Sequence, residues 1–163
     1  MEPIRVLHVF ASLDEGGAEA MVMNLYHGID RTRMQFDFIA NARETAYSYV
    51  SEISRLGGNV YFVPELRLRN LRKYIAAWKK LLQDHPEWKI IHGHHTSTAF
   101  IYLKLAKNSK RVTIAHSNIA GGDFSVKSAV KRLLRYPLRY LADYLFACSD
   151  GAAKWMFGSK AKR

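Results

Sequence analysis

The stretch Ile4–Glu19, IRVLHVFASLDEGGAE, decides how the rest of the chain is read. Ile4 to Phe10 is short, mostly apolar and rich in β-branched side chains, the composition of a strand buried on both faces. Ser12 to Glu19 then turns through two glycines into a segment whose apolar positions, Met21, Val22, Leu25 and Ile29, follow helical spacing. A strand, a glycine turn and a helix in succession place unpaired backbone N–H groups at the positive end of a helix dipole, where phosphate or sugar oxygens can sit. Gly16 and Gly17 are adjacent, so the G-x-G-x-x-G spacing of a dinucleotide fingerprint is absent. The stretch therefore reads as one wall of a cleft. Glu19 falls in the first helical turn, where a negative charge complements the dipole.

The same alternation continues along the chain. Gln35–Ala40 is a second strand, Tyr47–Leu56 a helix closed by Gly57 and Gly58, and Asn59–Val63 a third strand. Asn70 is placed to cap a helix with the apolar stripe Leu71, Tyr74, Ile75, Trp78, Leu81 and Leu82. Lys89–His92 and Arg111–Ala115 are the next strands, with a helix over Ala99–Lys107 between them. A basic helical pattern, Ser125–Leu141, is interrupted at Pro137, and Tyr144–Cys148 is the last strand. Ser149 or Asp150 can cap a final helix ending at Gly158. Strands alternating with helices predict an α/β fold, a Rossmann-like doubly wound parallel sheet of about six strands. One domain covers 1–158, and 159–163 is a disordered tail or the start of an interdomain linker. Ligands of such sheets bind beyond the carboxyl ends of the strands, so SLDEGGAE, HGHHTST, HSNIAGGDF and SD should share one edge.

At 163 residues and 48% hydrophobic, the chain suffices for one full core. Its formal charge of +11 directs a positive field toward anions: phosphates, acidic lipids or nucleic acid. The single Cys148 excludes an intrachain disulfide framework, and no signal-peptide pattern or spanning apolar run occurs, so a cytoplasmic setting is expected, peripheral at most on the inner face of the cell membrane. Two segments are strongly basic, Arg67–Lys80 and Lys127–Arg139. They read as solvated helix faces or, for Lys127, Lys131, Arg132 and Arg135, as a contact with anionic membrane. Nucleic acid is not expected as a partner: Tyr74 and Trp78 fall on the apolar stripe, and no RNA-binding or helix-turn-helix signature is present.

Histidines cluster at the predicted strand ends. His92 and His94 alternate with Gly93 and so share a face; no cysteine or carboxylate stands beside them, and no metal is expected. His94, next to a small Gly93, is the better placed to approach a substrate hydroxyl, whereas His8 inside the first strand reads as a core histidine. His116, Ser117 and Asn118 either donate hydrogen bonds to a ligand or cap the following turn. Ser117 lacks the G-x-S-x-G elbow of a nucleophile.

Taken together, a strand followed by GGAE, then IIHGHH, IAHSN and YLFACSDGAAKWMFG in that order, resemble the N-terminal domain of a retaining glycosyltransferase of the GT-B fold, of the type that builds capsular and exopolysaccharides. The resemblance implies transfer of a sugar from a nucleotide-sugar donor to a hydroxyl of a glycan or lipid-linked acceptor, with retention of configuration and no cofactor. It implies that Gly16 and Gly17 face the donor diphosphate and the acceptor, that His94 is the catalytic residue beside the transferred sugar, that His92 is structural, and that Asn118 binds substrate. The family's donor-binding domain, with glutamates spaced E-x7-E, lies further downstream. Glu44 and Glu52 share that spacing by coincidence, since they fall before and within the second helix. Alone, the chain is expected to be a fragment without activity. The alternative from the residues is a noncatalytic Rossmann-like module that binds anionic membrane or nucleic acid through its basic helices.

Overall fold

A computed structural model describes residues 2–42, 47–95, 97–118 and 137–158. In chain order the elements are β1 (Ile4–Val9), α1 (Gly17–Gly28), β2 (Met34–Asn41), α2 (Val50–Arg55), β3 (Val60–Val63), a 3-10 turn (Leu68–Asn70), α3 (Leu71–Asp84), β4 (Trp88–Gly93), α4 (Ala99–Asn108), β5 (Val112–Ser117), α5 (Leu138–Leu141), β6 (Tyr144–Ala147) and α6 (Asp150–Phe157). The six strands form one sheet in the order β3-β2-β1-β4-β5-β6, and every neighbouring pair is parallel. This is the doubly wound arrangement the alternation predicts, with β1 at the centre and the order reversing between β1 and β4.

Each face of the sheet carries its own core, because successive side chains of a strand point to opposite sides. On one face Val6, Phe36, Phe38 and Ala40 pack with Val22, Met23 and Tyr26 of α1 and Ile53 of α2. On the other, Leu7, Val9, Ile39, Ile91 and Ala115 meet Tyr74, Trp78 and Leu82 of α3 and Tyr102, Leu103 and Ala106 of α4. Trp78, Trp88 and Tyr102 are fully buried. Such side chains each contribute about 1.5–3 kcal/mol through removal of apolar area from water. Tyr74 and Trp78 thus belong to the core, while Arg72, Lys73, Lys79 and Lys80 line the solvent side of α3.

Several boundaries differ from the sequence reading for identifiable reasons. Asn70 precedes α3 but does not cap it: its Oδ1 accepts from the Arg67 N–H at 2.7 Å and its Nδ2 donates to the Glu65 carbonyl at 2.8 Å, closing the 3-10 turn instead. Asn59 stays outside β3 because its backbone N–H and Nδ2 both bond the buried Asp37 carboxylate, at 2.9 and 3.0 Å. Arg111 stays outside β5, where its guanidinium bonds the carbonyls of Leu82, His85 and Trp88 and so satisfies the carboxyl end of α3. Helix α2 begins three residues later than Tyr47, whose hydroxyl donates to the Asn41 carbonyl at 2.7 Å. Ser149 is the cap of α6, its Oγ accepting from the Ala152 N–H. Pro137 precedes α5 at a helix start, where a missing N–H costs nothing. Glu44, the glycines at 121 and 122, the tail 159–163 and the membrane candidates Lys127, Lys131, Arg132 and Arg135 lie outside the described residues.

Candidate functional site

The carboxyl ends of β1, β4 and β5 and the start of α1 enclose a cleft of about 410 Å³. Phe10 and Ala11 follow β1, Gly17, Ala18 and Glu19 open α1, His94 and His95 follow β4, and Asn118 follows β5. Three of the residues singled out in the sequence, Gly17, His94 and Asn118, are therefore brought to one surface, although they come from three separate loops. The loop after β4 is pinned to β1 by the Val9 carbonyl, which accepts from the N–H groups of both His94 and His95, at 2.9 and 3.0 Å.

The fourth, Gly16, is not among the residues that line it. It is the residue before α1, and a Cβ there would collide with the Glu19 carboxylate, which folds back over it. That carboxylate takes a hydrogen bond from its own backbone N–H, and burial, with Asp14 nearby, pushes its pKa up. The positive end of α1 is thus already covered by an acidic side chain. Gly17 has nothing within 4 Å of an added Cβ and faces open space.

Behind the cleft lies a stack of imidazoles that the parallel register assembles. His8 pairs across the sheet with His92, and His92 with Ile114, so His8, Phe10, His92, His94 and His116 all fall on the α1 face. The rings bond diagonally: His8 Nδ1 lies 3.1 Å from His94 Nε2, and His92 Nε2 lies 3.1 Å from His116 Nδ1. Each pair meets nitrogen to nitrogen, since their ring centres, 5.4 and 5.2 Å apart, are separated by the N···N gap plus about the two ring radii. The two pairs stack on one another, with His92 and His94 centred 4.3 Å apart, and Phe10 lies parallel to His94 at 4.4 Å. At the cleft, Asn118 Nδ2 stands 3.3 Å from His94 Nδ1.

Burial and mutual proximity keep these rings neutral. Desolvation, reinforced by the neighbouring histidines, lowers His8 and His94 far below the usual imidazole range and pushes His92 down to about 3, while desolvation alone lowers His116. Nitrogens of His8, His92 and His94 lie within 4.8 Å of one another, a spacing that invites a metal reading. In this structure one nitrogen of each ring is engaged in a ring-to-ring bond, His8 and His94 with each other and His92 with His116.

Two features of the sequence reading change here. His8 is buried, as a core histidine would be, but it is bonded to the candidate catalytic ring. Gly93 is small for a different neighbour: it faces away from His92 and His94, and Tyr102 of α4 fills the space a Cβ would take. Ser117 turns from the cleft and donates to the Ala152 carbonyl at 3.0 Å. His116 contributes through His92, a link that could have been found by counting residues across β4 and β5 once their adjacency was known. His95, also in the cleft wall, is held by Ser97 and Thr98, and Ser149 after β6 is occupied with capping.

Comparison with known proteins agrees with this architecture. Residues 15–159 match the profile of Glycosyltransferase Family 4. EpsF of Bacillus subtilis (strain 168), which carries a glycosyltransferase designation, is 33% identical over 158 residues, covering 94% of this chain and 41% of its own length. Among solved structures, Anabaena HepE in complex with UDP-glucose aligns with a TM-score of 0.66 at 15% identity, over 97% of this chain and 40% of HepE. Acinetobacter baumannii MurG aligns with a TM-score of 0.57 at 14% identity, over 92% and 42%. These likenesses establish the fold, which is that of a GT-B glycosyltransferase domain of the N-terminal type. The chain spans about two-fifths of the length of each of these relatives. Among the described residues no helix is long and apolar enough to cross a membrane. A match over most of the chain, on a sheet whose strand ends gather the glycine turn and the histidine wall into one cleft, places this protein in glycosyltransferase family 4.

Proposed function

We propose that this chain forms the acceptor-side half of a retaining glycosyltransferase, which moves a sugar from a nucleotide-sugar donor to a hydroxyl of a glycan or lipid-linked acceptor in polysaccharide biosynthesis. The observation that carries the reading is the cleft in which Gly17, His94 and Asn118 converge at the carboxyl edge of the sheet. The wall suits a sugar better than a free phosphate, because the Glu19 carboxylate covers the start of α1 and would repel an anion while accepting from hydroxyls. A neutral His94 suits the positive charge that develops at the anomeric carbon, which an imidazolium would oppose. Its Nδ1, bonded to Asn118 only at 3.3 Å, is the edge that can exchange Asn118 for a sugar hydroxyl. Gly17 leaves room for the substrate to approach the backbone. Charge neutralisation on the leaving diphosphate falls to the remaining length found in the relatives, so the separate chain should not turn over.

The test is a transfer assay with UDP-sugars on the chain extended to the length of its relatives. The extended protein should be active and the chain alone inactive, and His94→Ala should lower turnover about a hundredfold. Near-normal turnover in His94→Ala removes His94 from the reaction, and an extended protein that binds no nucleotide sugar removes the reading as a whole. The membrane contact is proposed for Lys127, Lys131, Arg132 and Arg135; replacing all four with glutamine should release the protein from anionic vesicles, and undiminished binding would exclude it.

A further inference from the structure

The His8 side chain is completely buried in the sheet, yet one of its ring nitrogens is spent on His94 and the other, Nε2, has no hydrogen-bond partner among the described residues. A buried polar ring with an orphaned nitrogen is a cost of about 1–3 kcal/mol that an apolar residue at this position would avoid. Its neighbours are Phe36 and Phe38, ring centres 4.4 and 5.6 Å away, so an aromatic side chain would suit the packing. The chain of contacts leads from there to the cleft: His8 Nδ1 to His94 Nε2, and His94 Nδ1 to Asn118.

Because each neutral imidazole carries one proton, this chain admits two arrangements. In the first, Asn118 Nδ2 donates to His94 Nδ1, His94 Nε2–H donates to His8 Nδ1, and His8 is left with an N–H on Nε2 that is buried without an acceptor. In the second, His8 Nδ1–H donates to His94 Nε2, the His94 proton sits on Nδ1 facing Asn118, and His8 Nε2 is a bare nitrogen among aromatic rings. The amide of Asn118 turns over to offer its oxygen, an exchange of near-isosteric groups. Among backbone groups an orphaned buried N–H is rarer than an under-satisfied acceptor, and the same asymmetry carried over to the ring selects the second arrangement.

We propose that His8 is a positioning residue for His94: by donating Nδ1–H to His94 Nε2 it fixes the ring's orientation and places the His94 proton on Nδ1, at the edge that faces Asn118 and the cleft. The inference builds on the sugar-transfer reading, in which that edge meets a substrate hydroxyl. His94 then acts as a hydrogen-bond donor toward the substrate and does not serve as a base. Asn118 holds the same proton when no hydroxyl is present.

The test begins on the unaltered chain, labelled with ¹⁵N in its imidazole rings. Long-range proton–nitrogen correlation should show both His8 and His94 protonated at Nδ1, and a coupling across the hydrogen bond should link His8 Nδ1 to His94 Nε2. Finding His94 protonated at Nε2, or rapidly exchanging between tautomers, overturns the proposal without any mutation. His8→Phe keeps the aromatic packing and removes the donor; the Nδ1–H share of His94 should fall about twofold or more, whereas His8→Asn, whose amide nitrogen replaces Nδ1, should restore it. An unchanged His94 tautomer in a folded His8→Phe variant also overturns it. In the extended protein His8→Phe should lower kcat about tenfold with the donor KM unchanged, and His8→Asn should recover most of the loss. A change in donor KM alone would give His8 a binding or structural role and count against positioning. If the extended protein shows no transfer at all, the sugar-transfer reading fails, while the nitrogen correlations still decide the His8–His94 bond.

Discussion

Acidification should unfold this domain early, because the imidazole stack is buried in its neutral form. In the unfolded chain each histidine charges below about pH 6.5. In the fold, desolvation holds His92 down to about 3 and lowers His8 and His94 far below the ordinary value, so the unfolded state binds protons that the folded state does not. Stability is therefore complete above the unfolded value and is lost as the pH falls through the window between about 6.5 and the lowered folded values. By pH 5 the neutral His92 ring alone forfeits about 2 kcal/mol, and His8, His94 and His116, lowered in the same direction, add to that loss. Even one ring is a sizeable share of the stability of an ordinary domain, about 5–15 kcal/mol. Urea unfolding followed by circular dichroism at pH 7.5, 6 and 5 measures it. With a slope of about 2 kcal/mol per molar urea, the midpoint should drop by at least about 1 M across the series. His92→Phe should make that pH-dependent drop smaller, since it removes one of the protons taken up on unfolding. A urea midpoint that is the same at pH 7.5 and pH 5 would refute the claim that the stack is buried and neutral.

Further substitutions probe other parts of the fold. Asp37 is fully buried and bonded to Arg5 through two nitrogens at 2.7 and 2.6 Å, to Trp88 Nε1 at 2.8 Å and to Asn59; burial would raise its carboxyl, but these partners hold it below the usual range. Asp37→Asn should cost about 3 kcal/mol in chemical unfolding, because it strands the Arg5 guanidinium and weakens every bond in the set. Gly93→Ala should cost about 1–3 kcal/mol, since the new methyl meets Tyr102 ring carbons at 2.9 and 3.0 Å, and adding Tyr102→Phe should recover only part of it. At the cleft, Gly17→Ala should leave the melting temperature nearly unchanged, whereas Gly16→Ala should displace the Glu19 carboxylate and bring the glutamate's pKa, read by carboxyl NMR, back toward its ordinary value.

The order of strands and helices was legible because every strand is a short apolar run and every helix carries an apolar stripe, both local patterns. Element ends were less so wherever a polar side chain serves something distant. Asn59 and Arg111 look like the first residues of strands, and they stay outside because Asp37 and the end of α3 claim them from 22 and about 30 residues away. The gathering of Gly17, His94 and Asn118 at one cleft was legible for a topological reason: loops at the strand ends of a parallel sheet must come together.

The imidazole stack was hidden because it depends on which strands are neighbours and in what register, and neither is written in any one segment. His8 and His94 are 86 residues apart, and an isolated histidine in an apolar strand has the same local signature whether it fills space or holds another ring. Once β1 lies beside β4 and β4 beside β5, however, alternation alone puts the four rings on one face, and the lean of each ring along the strand selects the diagonal partner. The same register sends Gly93 to the opposite face against Tyr102, which is why the glycine between His92 and His94 answers to the packing of α4. Adjacent residues of one strand thus serve different layers of the molecule, and a motif such as HGHH joins a cleft wall to a core contact only because β4 is buried on both sides.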